Sequence, residues 1–147
     1  MEQLNIDTGV REYRINGKGV LRFNPSDPNL YGRFLEAMES IQELEKNLRQ
    51  KGGEVGNDAK KTLHLILQAD RDAKEQLKKV FGEENDFDEL LNNVNVMAVC
   101  ENGERVISNL IQALSPILEE GAKNFLEAKA RCAVEQAEKR RSVKHAR

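Results

Sequence analysis

REYRINGKGVLRFNPSDP, residues 11–28, is the stretch of sequence that decides the fold. Asn16-Gly17 lies between two alternating apolar runs, and this dipeptide is a strong signal for a type I′ hairpin turn because both residues tolerate positive φ. The sequence therefore predicts a β-hairpin, to which Leu4–Ile6 can add a third strand. A lone hairpin is marginally stable, so this one must pack on helices or pair with another strand edge. The apolar residues that flank the turn are Val10, Tyr13, Ile15, Val20, Leu21 and Phe23.

Two long helices are predicted after the hairpin. The Ser26-Asp27 pair can cap the first helix, because these side chains accept hydrogen bonds from its free N–H groups, and Pro28 suits its first turn. Apolar residues then recur at steps of three and four, and Lys51–Gly53 predicts the helix end. The second helix is expected to start at Asn57-Asp58 and to stop at Gly82. The short link between the helices predicts an antiparallel pair.

The remaining sequence predicts one short helix and one long helix. The short helix is expected over Phe87–Leu91, and a turn or short extended piece over Val94–Cys100. The last helix carries an apolar stripe over Val106–Leu126. Pro116 lies inside that stripe and predicts either a kink or a new helix start after a Ser115 cap.

These elements predict an α+β fold that is mostly α, with an N-terminal β-hairpin packed on a helical bundle. A length of 147 residues fits a single domain over 1–147. Within it we expect the hairpin segment at 1–25 and the helical bundle at 26–127. Residues 128–147 are expected to form a charged, frayed helix or tail, because the apolar periodicity thins there.

Composition argues against several classes of function. The net charge is −2, so no basic field points to nucleic acid, although Lys139–Arg147 form a basic end. No apolar run is long enough to span a bilayer, and the first residues lack the basic and apolar regions of a signal peptide. Cys100 and Cys132 are far apart, which favours free thiols, each as a small buried hydrophobe, over a disulfide. We therefore expect a cytoplasmic protein that contacts no membrane.

No group of residues has the spacing that catalysis or metal binding requires. The histidines, His64 and His145, belong to no zinc-ligand pattern. The acidic run Glu83–Glu89 lacks the glycine and ligand spacing of a calcium loop and is typical of a solvated helix start. Asn16–Gly19 resembles a phosphate loop superficially, but it lacks Gly-Lys-Ser/Thr and no helix follows it. The sequence therefore predicts no enzyme, no metal and no cofactor.

The last helix is the strongest candidate for a contact with another protein. Its apolar stripe is wider than a coiled-coil seam, and a chain this small cannot easily bury both sides of it. We expect Ile111 and Leu118 to lie on the outer side. The partner is either a second copy, giving a homo-oligomer, or a helix of another protein laid in a groove. The predicted partner-binding residues are Val106, Leu110, Ile111, Leu114, Leu118 and Phe125.

Three motifs carry a resemblance to a known family: Ile6–Val10, Arg22–Asp27, and Asn95-Val96 ahead of Gly103. Over nearly its whole length the chain resembles a family of small proteins encoded by tailed phages and prophages of Gram-positive bacteria. Members of that family look like tail assembly chaperones, which coat the hydrophobic tape measure protein while the tail tube polymerises. Met97-Ala98 departs from the family pattern, which has an aromatic residue after the Asn-Val pair. The resemblance implies no catalytic residue.

Two functions stay open at this point. The resemblance implies a non-enzymatic tail assembly chaperone that binds the tape measure protein in the cytoplasm of the bacterial host. The alternative is a small phage-encoded inhibitor or regulator of a host protein, with the hairpin edge or the acidic segment as its contact. A gene position between the major tail protein and the tape measure protein supports the chaperone, and an early-gene position supports the inhibitor.

Overall fold

A computed structural model describes the backbone of residues 1–145 and the side chains of residues 1–141. The fold is mostly α with an N-terminal antiparallel hairpin, which confirms the predicted α+β class. In chain order the elements are β1 (Arg11–Ile15), β2 (Gly19–Phe23), α1 (Pro28–Val55), α2 (Ala59–Phe81), α3 (Phe87–Leu90) and α4 (Val106–His145).

The hairpin forms around the predicted turn. Asn16 and Gly17 have φ of 51° and 74°, and the Lys18 N–H donates to the Ile15 carbonyl at 3.0 Å. The positive φ at both positions is what a type I′ turn requires, so Asn-Gly is the pair that the backbone needs there. The turn also holds Lys18, because Ile15 pairs with Gly19 in the strand register.

The predicted third strand at Leu4–Ile6 is wrong. Residues 1–10 form no strand and are exposed. Gly9 takes a φ of 72°, and the Asn24 side-chain amide donates to the Thr8 carbonyl at 2.8 Å. These two features hold the incoming chain against the residue that follows β2, so it does not turn back along β1.

Caps set the ends of the long helices. Asp27 accepts from the Asn29 N–H at 2.9 Å, and Asp58 accepts from the Lys61 N–H at 3.1 Å, as the sequence predicts. Gly82 ends α2 as predicted. The predicted end of α1 near Lys51–Gly53 is wrong, because the helix continues to Val55. Glycine costs only about 1 kcal/mol inside a helix, so Gly52 and Gly53 stay helical. The helix ends before Gly56.

Pro116 does not start a new helix, since α4 runs unbroken from Val106 to His145. Proline removes the hydrogen bond to the carbonyl four residues earlier, here that of Gln112. Both residues are exposed, so water can reach that carbonyl. The frayed segment predicted from residue 128 is helical to His145, and residues 146–147 lie outside the described backbone.

A single core unites the hairpin and the helices. Rings form a chain through it: Tyr13 stacks on Phe23 at 4.9 Å, Phe23 meets Phe81 edge-on at 5.0 Å, and Phe81 meets Phe87 at 5.7 Å. Phe34 is buried in the same cluster as Phe23, which confirms that the hairpin and the first helix share one core. Aromatic pairs at these distances stabilise beyond their buried area.

Candidate protein interface

Half of the predicted partner residues on α4 belong to the core. Leu110, Leu114 and Leu118 recur every four residues and are buried, Leu118 completely at 0% exposure. The prediction that Leu118 lies on the outer side is wrong, because that side of α4 packs into the cluster formed with the hairpin and α1. Leu114 and Leu118 are therefore not available to a partner, and Leu110 keeps only 8% of its surface exposed.

The other predicted partner residues lie at the margin of the core or outside it. Val106 and Ile111 are half-buried and pack against the core. Phe125 is 36% exposed. The apolar surface that α4 offers is thus narrower than predicted, and it lies at the two ends of the predicted stripe.

One of these ends borders an open cleft between the hairpin turn and the first half of α4. We call it the hairpin–α4 cleft, and its volume is about 520 Å³. It includes two of the predicted partner residues, Val106 and Leu110. Its wall is mostly apolar, with polar groups beside it, which is typical of a surface that receives apolar side chains. The lining residues are Arg14, Ile15, Asn16, Leu91, Val94, Cys100, Val106, Asn109, Leu110 and Ala113.

Two tight turns shape this cleft. The Asn16-Gly17 turn places Ile15 on one side of it. Asn92 and Asn93 have φ of 53° and 59°, and the chain reverses there immediately after α3. This reversal leaves Val94 at the cleft with 42% of its surface exposed. Asparagine tolerates this left-handed backbone better than other non-glycine residues, so the Asn-Asn pair is the local signal that the sequence reading missed.

A partly buried ion cluster, with Asp88 exposed at its margin, anchors the loop that carries Val94. The Val96 N–H donates to Asp70 at 2.8 Å, and Lys74 contacts Asp70 at 3.1 Å and Asp88 at 2.6 Å. Burial alone lowers the pKa of Lys74, but the hydrogen bonds and charges of Asp88 and Asp70 outweigh burial, so its pKa is raised. The cluster joins α2, α3 and the 94–98 loop, so its role is structural.

The second half of α4 leaves the body of the protein. Gly121 lies against the backbone of Pro25 and Ser26 so closely that a Cβ at this position would overlap it. Beyond Ala122 every described residue, 123–141, is exposed. This segment carries the apolar side chains of Leu126 and Val134 in solvent.

The two cysteines differ from their predicted surroundings. Cys100 is half-buried beside the hairpin–α4 cleft, and Cys132 is exposed on the second half of α4, so the prediction of a buried thiol is wrong for Cys132. Both thiols are free. Within residues 1–141, no group of three or more His, Cys, Asp or Glu side chains is placed to hold a metal ion.

Comparisons with protein-family models, curated proteins and solved structures find no match for this chain. None of the described helices is long and apolar enough to cross a membrane.

Proposed function

We propose that this protein is a non-enzymatic tail assembly chaperone of a tailed phage, and that it binds the tape measure protein. The observation that carries the proposal is the hairpin–α4 cleft, an apolar cleft of about 520 Å³ that is open to solvent. Exposed apolar surface that gathers at a concave site marks a place where another protein binds.

The shape and chemistry of the cleft suit a helical client. An amphipathic helix binds in an apolar groove through side chains spaced at i, i+3, i+4 and i+7. Ile15, Val94 and Ala113 supply apolar surface from three different segments, so one such helix would contact all three. Arg14 and Asn109 add polar groups that can meet the polar side of the client. The resemblance to phage tail proteins supports the tape measure protein as the source of that helix.

The second half of α4 supplies further apolar contact area. Phe125 and Leu126 are exposed just beyond the point where the helix leaves the body, and Val134 is exposed two turns later. A chaperone that coats a long client needs more than one contact, because several weak sites on one chain raise the overall affinity through effective concentration.

The direct test is binding to fluorescently labelled helical peptides from the tape measure protein of the same phage, measured by anisotropy. Val94→Asp and Ala113→Asp place a charge in the cleft at exposed positions, so the fold should survive while affinity falls about tenfold or more. Leu35→Asp is the matched control, since Leu35 is an exposed leucine on α1 outside the cleft.

Two results would contradict the proposal. One is that no helical segment of the tape measure protein binds. The other is that the cleft variants and the Leu35 control bind equally well. A position of the gene among early genes, away from the tail cluster, would instead favour the inhibitor of a host protein.

A further inference from the structure

The two outer edges of the hairpin differ in whether their backbone groups are hydrogen-bonded. The outer edge of β2 is closed by Asn85, whose side-chain oxygen accepts from the Arg22 N–H at 2.9 Å. The Asn85 side-chain amide donates to the Arg22 carbonyl at 2.8 Å and to the Phe81 carbonyl at 2.7 Å. Both backbone groups of Arg22 therefore point away from β1 and are paired.

The alternation of an antiparallel ladder then defines the edge of β1. Residues on a strand turn their N–H and C=O groups alternately toward one neighbour and the other. Since Arg22 points away from β1, its register partner Glu12 points away from β2, and so does Arg14 two residues later. The outer edge of β1 thus presents the backbone groups of Glu12 and Arg14.

Within the described residues no further strand pairs with this edge, since the sheet has two strands, β1 and β2. Residues 1–10 are exposed and pass beside Asn24 at the far end of β2, so they do not pair with β1. Open clefts lie between β1 and α4 at both ends of the strand. Glu12 and Arg14 are themselves exposed. An uncovered strand edge is a template for pairing with another strand.

We propose that β1 pairs antiparallel with β1 of a second copy, with Glu12 of each chain opposite Arg14 of the other. This register puts Tyr13 on the two-fold axis and joins two hairpins into a four-stranded sheet. In this register the outward N–H and C=O groups of Glu12 in one chain bond those of Arg14 in the other. These two residues therefore form the hydrogen-bonded pairs of the new ladder. The contact is isologous, so the same surface serves both copies and the assembly closes as a dimer.

Charge selects this register over its neighbours. Opposite charges that face each other across strands stabilise a sheet, and like charges destabilise it. Shifting the register by two residues in either direction places Glu12 opposite Glu12 or Arg14 opposite Arg14. Within residues 1–141, Arg14 makes no ion pair, whereas Glu12 already contacts Arg22 at 3.2 Å. In the dimer Glu12 would lie between Arg22 of its own chain and Arg14 of the second copy. Arg14 would then pair with Glu12 of that copy.

The first measurement is amide hydrogen exchange at increasing protein concentration. The Glu12 and Arg14 amides should become protected as concentration rises. The Tyr13 amide faces β2 and should be protected at every concentration, so it is the internal reference. Rapid exchange of Glu12 and Arg14 at the highest concentration would overturn the proposal. Protection that does not depend on concentration would also overturn it, because residues of the same chain would then cover the edge.

The second measurement uses charge reversal with sedimentation velocity. Arg14→Glu and Glu12→Arg should each weaken self-association about tenfold or more, since both symmetric pairs become repulsive. Mixing the two variants should restore it, because each charge then meets its opposite, and so should the double variant. Lys18→Glu changes the net charge like Arg14→Glu but lies in the turn, so it should leave association unchanged. If either single variant associates like the wild type, or if the mixture stays weak, the proposed register is refuted.

Discussion

Replacing Asn85 with alanine should destabilise the protein by about 2–4 kcal/mol. The side chain is 2% exposed and makes three hydrogen bonds, with both backbone groups of Arg22 and with the Phe81 carbonyl. Each buried polar group that loses its partner costs about 1–3 kcal/mol, and the variant leaves both backbone groups of Arg22 and the Phe81 carbonyl without one. Water that reaches the strand edge would offset part of this cost. The free energy of unfolding is measured by urea titration followed by circular dichroism, with Asn47→Ala on the exposed side of α1 as the control.

Asn85→Asp sharpens the same test through pH. The carboxylate keeps an acceptor for the Arg22 N–H but would face two carbonyls that need a donor, and burial also disfavours its charge. The pKa of the new aspartate should therefore be raised in the folded protein above its unfolded value of about 3.9. A raised folded pKa means that the stabilising contribution is fully present below the unfolded pKa and is lost as pH rises through the folded pKa. The variant should thus be closest to wild type in acid and fall further behind toward neutral pH.

Two outcomes would refute this account of Asn85. A cost below about 1 kcal/mol for the alanine variant would match an ordinary surface change and mean that water replaces the amide at no penalty. A stability difference between Asn85→Asp and wild type that is constant from acid to neutral pH would mean that the carboxylate does not face the two carbonyls.

Three further predictions concern the core and the last helix. Gly121→Ala should destabilise the protein by about 1–3 kcal/mol, because the added Cβ overlaps the Pro25 backbone. Gly53→Ala is the control and should not destabilise it, because a Cβ there meets no other atom. Urea titration measures the free energy of unfolding of both variants. Phe34→Ala should cost about 3–5 kcal/mol, since the ring is buried in the core, and a loss below about 1 kcal/mol in the same titration would place the ring outside the core. Deleting 139–147 should leave the unfolding midpoint unchanged, because the described residues beyond Ala122 contact no core, and a lowered midpoint would show that this segment is docked.

Much of the fold could be predicted because local signals and burial agree. Asn16-Gly17, the Asp58 cap and the Gly82 stop all act on backbone groups within a few residues, so the neighbouring sequence is enough to predict them. The end of α1 was mispredicted because glycines inside a helix cost little, and only a required positive φ makes one a stop. That requirement arises at Gly56, where φ is 60°.

The candidate site was harder to predict, because burial of a helix stripe depends on what packs against it. The periodicity of Leu110, Leu114 and Leu118 is the same whether a partner or the protein's own core covers them. Asn85 carries no sequence signal at all, since its partner Arg22 is distant in sequence and offers only backbone atoms. The cleft likewise depends on two turns brought together by the core, and only their individual positions are visible in the sequence.

The exposed second half of α4 should make thermal unfolding depend on the probe. Residues 123–141 extend about 28 Å at the helical rise and receive no help from tertiary packing, so their helicity depends on alanine-rich local propensity and side-chain pairs. Most helical stability in proteins comes from tertiary packing, so a helical segment without it is expected to melt gradually. Far-ultraviolet circular dichroism should therefore decline with temperature well before the near-ultraviolet tyrosine signal reports the cooperative loss of the core. The gap between the two curves measures how much of this helix unfolds independently of the core.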